Sequence, residues 1–288
     1  MKRIVITGRN SYIGTHIEDW ISNHRTEWAV SMLNVRDDSW RNYDFTNTDV
    51  VIHLAGIVHQ PQLQNREVYE EINVELTYNI ANRAKMQGVK QFVFFSSMAV
   101  YGIEKLLVPN IITEDTPMNP QSLYGQTKLT AENRILKLND QFFTVTIVRP
   151  PNVYGKGCKG KYIDGFTSIV KRFPILPYAY NNCRQSLIYI DNLCELVTRI
   201  IDLRKEGIFM PQDDSAVSAV ELMNGIAMGI GKKIYFSKLL GFAVRILSFL
   251  PIVKKAYGGV EYSRTLSTIN GINYVVVPFD KAIKCTVE

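Results

Sequence analysis

The sequence has few cysteines, and none of them is spaced for metal binding. The 288 residues include four, at positions 158, 183, 194 and 285, with no CxxC pair, and the four histidines show no metal-type spacing either. The first residues run directly into a strand-like segment, so we expect no signal peptide. We therefore expect no metal site and a reducing, cytoplasmic setting.

A basic tract is absent as well. The net charge is +6, but Lys and Arg are dispersed, and no aromatic-rich platform accompanies them. This pattern argues against a nucleic-acid partner and favours a small anionic ligand. Internal repeats and low-complexity segments are also missing, and an apolar content of 46% is that of a folded globular protein.

Only one apolar run is long, residues 234–255, and charges interrupt it. Lys238 and Arg245 lie inside this run, and Pro251 lies near its end. Because a charge in the middle of a span is costly in a bilayer, we expect no membrane span. The prediction is a buried or cleft-lining helix, with contact to a membrane surface as the alternative.

Apolar runs alternate with helical patterns over the first half of the chain. The strand-like runs RIVIT, WAVSML, DVVIHLAG, QFVFFSS and FFTVTIVRP are interleaved with helical patterns near 13–24, 66–87 and 122–138. Continuous apolar strands indicate a parallel sheet covered on both faces. The predicted fold class is α/β, a Rossmann-type doubly wound parallel sheet with a smaller C-terminal substrate-binding lobe.

The predicted domain boundary lies near residue 152, where glycine and proline become frequent. We assign residues 1–152 to the dinucleotide-binding domain and expect 184–205 to return to it, with QSLIYID as a further strand of the sheet. The lobe then consists of residues 153–183 and 206–288.

The segment TGRNSYIG, directly after the first strand, has the spacing of a dinucleotide-binding turn. Gly8 and Gly14 occupy the outer glycine positions, but Ser11 lies where a middle glycine is typical. Serine is small, and its Oγ is able to bond a phosphate oxygen at the N-terminus of the following helix. A purely structural strand-to-helix turn is the alternative on this motif alone.

The end of the second strand predicts which dinucleotide is bound. An acid about 20 residues after the glycines is typical of NAD sites, and this region instead offers Asn34 and Arg36, with Asp37 slightly later. Asn34 is suited to a ribose hydroxyl, and Arg36 and Arg9 to a 2′-phosphate. The cofactor is predicted to be NAD or NADP, with a lean to NADP(H); solvent exposure is the alternative for both arginines.

Two Tyr-x-x-x-Lys pairs occur, and their contexts differ. Tyr124 and Lys128 lie in a helical pattern, where residues i and i+4 share a face. A cation near the phenol lowers its pKa and makes Tyr124 a candidate general acid and base. Tyr101 closes a strand and precedes a glycine, so it and Lys105 need not share a face. Ser97, at the end of a strand, is expected to meet Tyr124.

Six motifs occur in order: the TGxxxxIG turn, VVIHLAG, Asn73 in EEINVELT, SSMAVYG, YGQTK and VRPPNVYGKGCKG. Together they resemble the extended short-chain dehydrogenase/reductases of the NAD-dependent epimerase/dehydratase family, which modify nucleotide sugars. The resemblance covers about residues 1–205. It implies that Ser97, Tyr124 and Lys128 are catalytic. It also implies that the cofactor-binding positions are Gly8, Ser11, Tyr12, Ile13, Gly14, Asn34, Arg36, Leu54, Ala55, Gly56, Tyr124 and Lys128.

The same resemblance limits the reaction and suggests a substrate site. Dehydratases of this family carry an Asp-Glu pair where this chain has Met98 and Ala99, so water elimination is disfavoured. Asn152 and Arg184 match diphosphate-contacting positions, and a guanidinium suits a phosphate. His53, in VVIHLAG, is interpreted as a core histidine whose ring nitrogens are satisfied.

These observations predict an NAD(P)-dependent enzyme that acts at C4 of a nucleotide-linked sugar in surface polysaccharide biosynthesis. Reduction of a 4-keto sugar is the first prediction and 4-epimerisation the alternative; a non-catalytic dinucleotide sensor is the alternative of another class. The resemblance also implies a homodimer.

Overall fold

The computed structural model describes residues 1–58, 65–158 and 160–288. The chain divides into two units, the first made of residues 1–102, 117–150 and 193–210, and the second of residues 103–116, 151–192 and 211–288. Pro117, Pro151 and Pro211 each begin one of these segments. Proline suits such positions because it lacks the N–H that would continue a strand or a helix.

A parallel six-stranded sheet forms the centre of the first unit. Its strands are β1 (Lys2–Thr7), β2 (Trp28–Leu33), β3 (Val50–His53), β4 (Gln91–Phe95), β6 (Thr144–Val148) and β11 (Gly207–Phe209). They are arranged in the order β11-β6-β4-β3-β1-β2, with every neighbouring pair parallel. Every residue of β3, β4 and β6 is buried, as the continuous apolar runs predicted.

Helices connect these strands. They are α1 (Tyr12–His24), α2 (Arg66–Glu70), a π-helical segment (Glu71–Glu75), α3 (Leu76–Met86), α4 (Leu123–Leu136) and α6 (Ile190–Asp202), which belongs to the first unit from Leu193 on. Short 3-10 turns lie at Asp38–Asn42 and Met98–Tyr101. The fold class and the three predicted helical regions are confirmed.

His53 lies in the core of the first unit. Its Nδ1 is 2.8 Å from Thr7 Oγ1 and its Nε2 is 3.0 Å from Thr77 Oγ1, while its ring stacks near those of Phe92 and Phe94. Burial and the nearby Lys128 ammonium lower the pKa of His53 to about 3. The interpretation of a satisfied core histidine is confirmed.

The second unit is built from short strands in two-stranded sheets. These strands are β5 (Ile111–Ile112), β7 (Asn152–Tyr154), β8 (Ile175–Pro177), β9 (Arg184–Gln185), β10 (Leu187–Tyr189), β12 (Val217–Ser218), β13 (Tyr235–Ser237) and β14 (Glu261–Tyr262). The pairs are β10 with β7, β12 with β9, β13 with β8 and β14 with β5. Its helices are α5 (Lys161–Arg172), α7 (Ala219–Gly229), α8 (Lys238–Ile246), α9 (Pro251–Tyr257), α10 (Arg264–Ser267) and α11 (Phe279–Val287).

The structure corrects the prediction for QSLIYID. Strand β10 pairs with β7 and does not join the six-stranded sheet, whose place beside β6 is taken by β11. Of the range 184–205, only the part from residue 193 lies in the first unit, and β11, assigned by sequence to the lobe, lies there too. An apolar run predicts a buried strand, but it carries no information on which strand edge is open to it.

The prediction of a buried helix within 234–255 is also wrong. The segment folds as β13, α8, a 3-10 turn (Leu247–Phe249) and α9, and most of its apolar side chains are exposed. Helix α8 packs against the end of β8 through Gly241, so its larger side chains point outward. No helix in the described part of the chain is both long enough and apolar enough to cross a membrane.

Candidate active site

The turn between β1 and α1 has the backbone of an anion cradle. Gly8 has a φ of +90°, and a Cβ on it would lie 3.2 Å from the backbone nitrogen of Ala55. Ser11 is the N-cap of α1, because its Oγ accepts a hydrogen bond from the Gly14 N–H at 3.0 Å. Ser11 therefore orders the helix start and keeps its own O–H as a donor.

A cleft of about 740 Å³ opens beside this turn. Seven predicted cofactor positions line it: Gly8, Ser11, Asn34, Arg36, Leu54, Ala55 and Gly56. Tyr12, Ile13 and Gly14 lie in the first turn of α1 and do not line it, nor do Tyr124 and Lys128. The positive φ at Gly8, the capped helix N-terminus and the size of the cleft fit a nicotinamide dinucleotide, with the pyrophosphate at the Gly8–Ser11 turn.

The end of β2 presents amide and guanidinium groups to the cleft. Asn34 Nδ2 donates to Asp37 Oδ2 at 2.7 Å, and Asn34 Oδ1 accepts from the Arg36 N–H at 3.2 Å. Arg9 and Arg36 line the cleft and are exposed, and neither forms an ion pair with any described residue. The asparagine is thus part of a turn, whereas the two guanidinium groups are available to a ligand.

Asn73 holds the loop that follows β3, a role that the sequence motif alone did not specify. Its Oδ1 accepts from the Ile57 N–H at 2.8 Å, and its Nδ2 donates to Ile57 O and to Thr127 Oγ1, each at 3.1 Å. The side chain is fully buried. The amide therefore ties the cleft wall at residues 54–57 to α4. Its signal in the sequence was its place in EEINVELT.

Helix α4 brings Tyr124 to Ser97. Ser122 caps the helix by accepting from the Gly125 N–H at 3.1 Å, and a Cβ on Gly125 would lie only 2.6 Å from Ala99 O. This close approach sets the first turn of α4 against the segment after β4. The Ser97 hydroxyl lies close enough to the Tyr124 phenol to lower its pKa, and Ser97 Oγ accepts a hydrogen bond from the Ala99 N–H.

The pKa of Tyr124 is shifted in the direction opposite to the sequence-based expectation. Burial raises the pKa of Tyr124, the hydrogen bond with Ser97 opposes this rise, and Tyr69 adds to it. Lys128 is not among the groups that shift this pKa. The expected lowering of the Tyr124 pKa is not found, and the Lys128 ammonium donates to the Phe95 carbonyl.

Lys128 is buried beneath the cleft wall. Its Nζ donates to Phe95 O at 2.8 Å, lies 4.5 Å from the centre of the Phe94 ring, and is 3.3 Å from where a Cβ on Gly56 would lie. Burial lowers the pKa of Lys128 to about 8, and Glu132, one helical turn later, acts in the opposite direction. The lysine thus joins α4 to the end of β4 next to a residue that lines the cleft.

A buried ion pair supports this helix. Arg149 donates to Glu132 through Nε at 3.0 Å and through Nη2 at 2.6 Å, and both side chains are almost fully buried. The guanidinium also donates to the Tyr101 hydroxyl at 3.0 Å. Sequence reasoning missed Glu132 and Arg149, because a Glu and an Arg 17 positions apart give no local signal.

The two predicted substrate residues lie in the second unit. Asn152 begins β7 and lines a cleft of about 480 Å³ together with Gly155, Cys158 and Tyr162. Arg184 is paired with Glu221 and donates to Ala216 O at 2.8 Å. Glu221 also completes the capping box of α7 with Ser218, so Arg184 is held at the start of that helix.

Comparison with known proteins now identifies the fold and the family. The sequence model of the NAD dependent epimerase/dehydratase family matches residues 4–209. This chain belongs to that family. The match covers α4 and the parallel sheet from Ile4 in β1 to the end of β11. It confirms the resemblance to extended short-chain dehydrogenase/reductases and the prediction of an NAD-dependent enzyme of the epimerase and reductase type.

Relatives with assigned activities include both epimerases and reductases. The chain is 31% identical to a UDP-glucose 4-epimerase of Vibrio cholerae, over 80% of this chain and 76% of that protein. It is 28% identical to a GDP-6-deoxy-D-mannose reductase of Pseudomonas aeruginosa, over 56% of each. The fold matches the crystal structure of UDP-glucuronic acid 4-epimerase from Bacillus cereus in complex with NAD. That match has a TM-score of 0.73 and 17% identity, over 99% of this chain and 97% of the other.

Proposed function

We propose that this protein catalyses hydride exchange at C4 of a nucleotide-linked sugar, with 4-epimerisation as the net reaction. The observation that carries the proposal is the proximity of Ser97, just after β4, to Tyr124 in the first turn of α4, where Gly125 packs against Ala99 O. The absence of carboxyl groups at Met98 and Ala99 supports the restriction to C4 redox chemistry. The epimerase relative covers more of the chain than the reductase relative does, which supports epimerisation.

Each of the three side chains has a chemical task in this proposal. Ser97 holds the C4 oxygen by a hydrogen bond, and Tyr124 transfers the proton of that oxygen. A dinucleotide bound in the cleft supplies the hydride acceptor and donor. Lys128 has N–H groups beyond the one that bonds Phe95 O, and we assign them to the hydroxyls of the nicotinamide ribose.

The raised pKa of Tyr124 favours proton donation by its phenol. A buried phenol with a raised pKa is protonated at neutral pH, which is the form that protonates a C4 oxygen when a keto group is reduced. Oxidation requires Tyr124 to accept the proton. An epimerase performs both half-reactions on the two faces of one sugar, so the phenol must act in both directions.

Identification of the released cofactor and a substrate test decide the net reaction. The purified protein is denatured and the released dinucleotide identified, and the native protein is incubated with UDP-glucose or UDP-galactose. Retained NAD together with interconversion of the two sugars, lost in Tyr124→Phe, supports epimerisation. A protein that binds dinucleotide but changes no sugar in a panel of nucleotide sugars would contradict the proposal and favour a sensor.

Reduction of a 4-keto nucleotide sugar is the second candidate, and two observations favour it. Arg9 and Arg36 line the cleft without an acidic partner among the described residues, an arrangement suited to the 2′-phosphate of NADP(H). The protonated phenol of Tyr124 suits reduction. An empty protein that consumes NADPH with a 4-keto sugar, with Arg36→Ala weakening NADPH more than NADH, would establish this reaction.

We extend the proposal to the substrate and the assembly. Asn152 and Arg184 are assigned to the substrate diphosphate; for Arg184 this requires that it bind while paired with Glu221. We also propose a homodimer in the cytoplasm, with a role in surface polysaccharide biosynthesis.

The assignment of Arg184 to the diphosphate is tested by Arg184→Lys. This variant should raise the KM for the sugar nucleotide with little change in kcat, since lysine lacks the planar guanidinium that binds a phosphate through two hydrogen bonds.

A further inference from the structure

The second unit exposes an apolar helix face that has no partner among the described residues. Leu239, Phe242 and Ile246 on α8 are 79%, 62% and 60% exposed, and their spacing places them on one face of the helix. Phe249 in the following 3-10 turn and Ile252 in α9 are 71% and 67% exposed. We call these five residues the α8–α9 face. Contiguous apolar surface of this kind marks an interaction site.

This exposure is fixed by packing on the opposite side. A Cβ on Gly241 would lie 2.0 Å from Tyr178 O, so the helix contacts the end of β8 through its glycine backbone. In α9, Val253 and Tyr257 are buried. The two helices are therefore attached by Gly241, Val253 and Tyr257, and their large apolar side chains point away from the unit.

The stretch of sequence that contains α8 and α9 carries charge of one sign. Residues 222–260 contain six Lys or Arg and no Asp or Glu. The chain has 33 basic and 27 acidic residues, so the rest of the chain carries equal numbers of both, and its whole net charge lies in this stretch. None of the six cations forms an ion pair within the described residues. They are Lys232, Lys233, Lys238, Arg245, Lys254 and Lys255.

Lys238, Lys254 and Lys255 lie in α8 and α9 themselves, whereas Lys232 donates to Val170 O and Lys171 O, and Arg245 lies over the Tyr180 ring. Exposed aromatic and aliphatic side chains on the same short helices as lysines are typical of a helix that lies in a bilayer interface. The apolar side chains enter the headgroup and acyl boundary, while Lys and Arg contact anionic headgroups. Both helices are too short to span a bilayer. We propose that the α8–α9 face docks this protein on an anionic phospholipid surface. A second copy of this chain seated on the same face would bring the lysines of the two copies together, which disfavours it as the occupant.

Vesicle co-sedimentation with the full chain tests this docking. The probes are vesicles of phosphatidylcholine alone and vesicles with about 30 mol % phosphatidylglycerol, in about 0.1 M salt, where surface charges are only partly screened. The variant Leu239→Ser/Phe242→Ser/Ile246→Ser removes the apolar contact. The matched control, Met86→Ser/Phe142→Ser, removes apolar side chains of the first unit that are 79% and 73% exposed.

We expect the native protein and the control to sediment with the anionic vesicles and not with the neutral ones. The triple variant should lose at least about tenfold in partition coefficient at unchanged circular dichroism, as should Lys254→Gln/Lys255→Gln. Equal sedimentation of the triple variant and the native protein would overturn the proposal, as would no binding to anionic vesicles. Light scattering that shows a dimer dissociated by the triple substitution would also overturn it, in favour of a second copy.

Discussion

The two Tyr-x-x-x-Lys segments of this chain have the same spacing but different backbone conformations. Tyr124 and Lys128 lie in one helix of the first unit. Tyr101 ends a 3-10 turn, and Gly102, with a φ of +64°, ends that turn in the left-handed conformation. A Cβ on Gly102 would lie 1.8 Å from Asn119 O, so no other residue fits this turn unchanged.

The partners of the second pair also differ. Tyr101 is buried, and its hydroxyl contacts Arg149 and Met210. Lys105 belongs to the second unit, where it bonds Gln185 and lies 4.5 Å from the centre of the Tyr162 ring. Equal spacing therefore places two side chains on one face only where the backbone between them is a continuous helix. The comparison predicts chemistry for the first pair and structural roles for the second.

The largest expected effect is that of Tyr124→Phe on turnover. Loss of a general acid and base lowers kcat by about 10²- to 10⁴-fold, while the affinity for the dinucleotide, followed by fluorescence titration, should change little. Tyr101→Phe is the matched control and should keep its kcat. Equal losses in the two variants would remove the distinction between the two pairs.

Glu132→Ala should cause the largest loss of stability, because it removes the buried carboxylate that balances the charge of Arg149. Breaking a buried pair in this way costs about 3–5 kcal/mol, measured as the free energy of unfolding in urea. Glu132→Gln keeps the shape and should cost less. The substitution also removes the group that raises the pKa of Lys128, so the pH profile of turnover in Glu132→Gln should move to lower pH.

Lys128 and Lys105 should affect the pH dependence of stability in the same way, but only Lys128 should affect turnover. Burial lowers the pKa of Lys128 to about 8, and burial with the repulsion of Lys255 lowers the pKa of Lys105 to about 8. Between these values and the ordinary 10.5 the unfolded chain binds more protons, so stability rises with pH in this window. Below about pH 8 both lysines are protonated in the folded protein, and their burial as charged groups lowers its stability by the full amount.

Lys128→Met should remove the contribution of Lys128 to the rise in the free energy of unfolding with pH. We expect this contribution to be about 3 kcal/mol. Lys105→Met should also reduce the rise in the free energy of unfolding with pH. Urea unfolding between pH 7 and 10 measures both. Only Lys128→Met should lower turnover; a matching loss in Lys105→Met would contradict the assignment of the two pairs.

The smallest effect is expected for the stability of Tyr101→Phe. The phenol oxygen accepts from Arg149, which keeps its two bonds to Glu132. Loss of one hydrogen bond to a charged group costs about 1.5–3 kcal/mol, measured by thermal or urea unfolding. A loss as large as that of Glu132→Ala would mean that Tyr101, and not Glu132, is the main partner of the guanidinium.

Much of the first unit was predictable, because its signals are local. The helix over 122–138 and the capped turn at Ser11 depend on contacts within four residues. The burial of β3, β4 and β6 follows from continuous apolar runs. The pairing of β10 and the contact of Lys128 with Phe95 O were not predictable, since both depend on segments more than 30 residues apart.

The sequence by itself determined the alternation of strands and helices, the glycine turn and the helical spacing of Tyr124 and Lys128. Each of these is decided by backbone sterics and by neighbours within one or two turns. Only the tertiary structure decided which edge β10 joins, that α8 turns its glycine inward and its Phe and Leu outward, and that Lys128 faces a carbonyl instead of the phenol. These outcomes depend on which surfaces remain open after the core has packed, and that is a property of the whole chain.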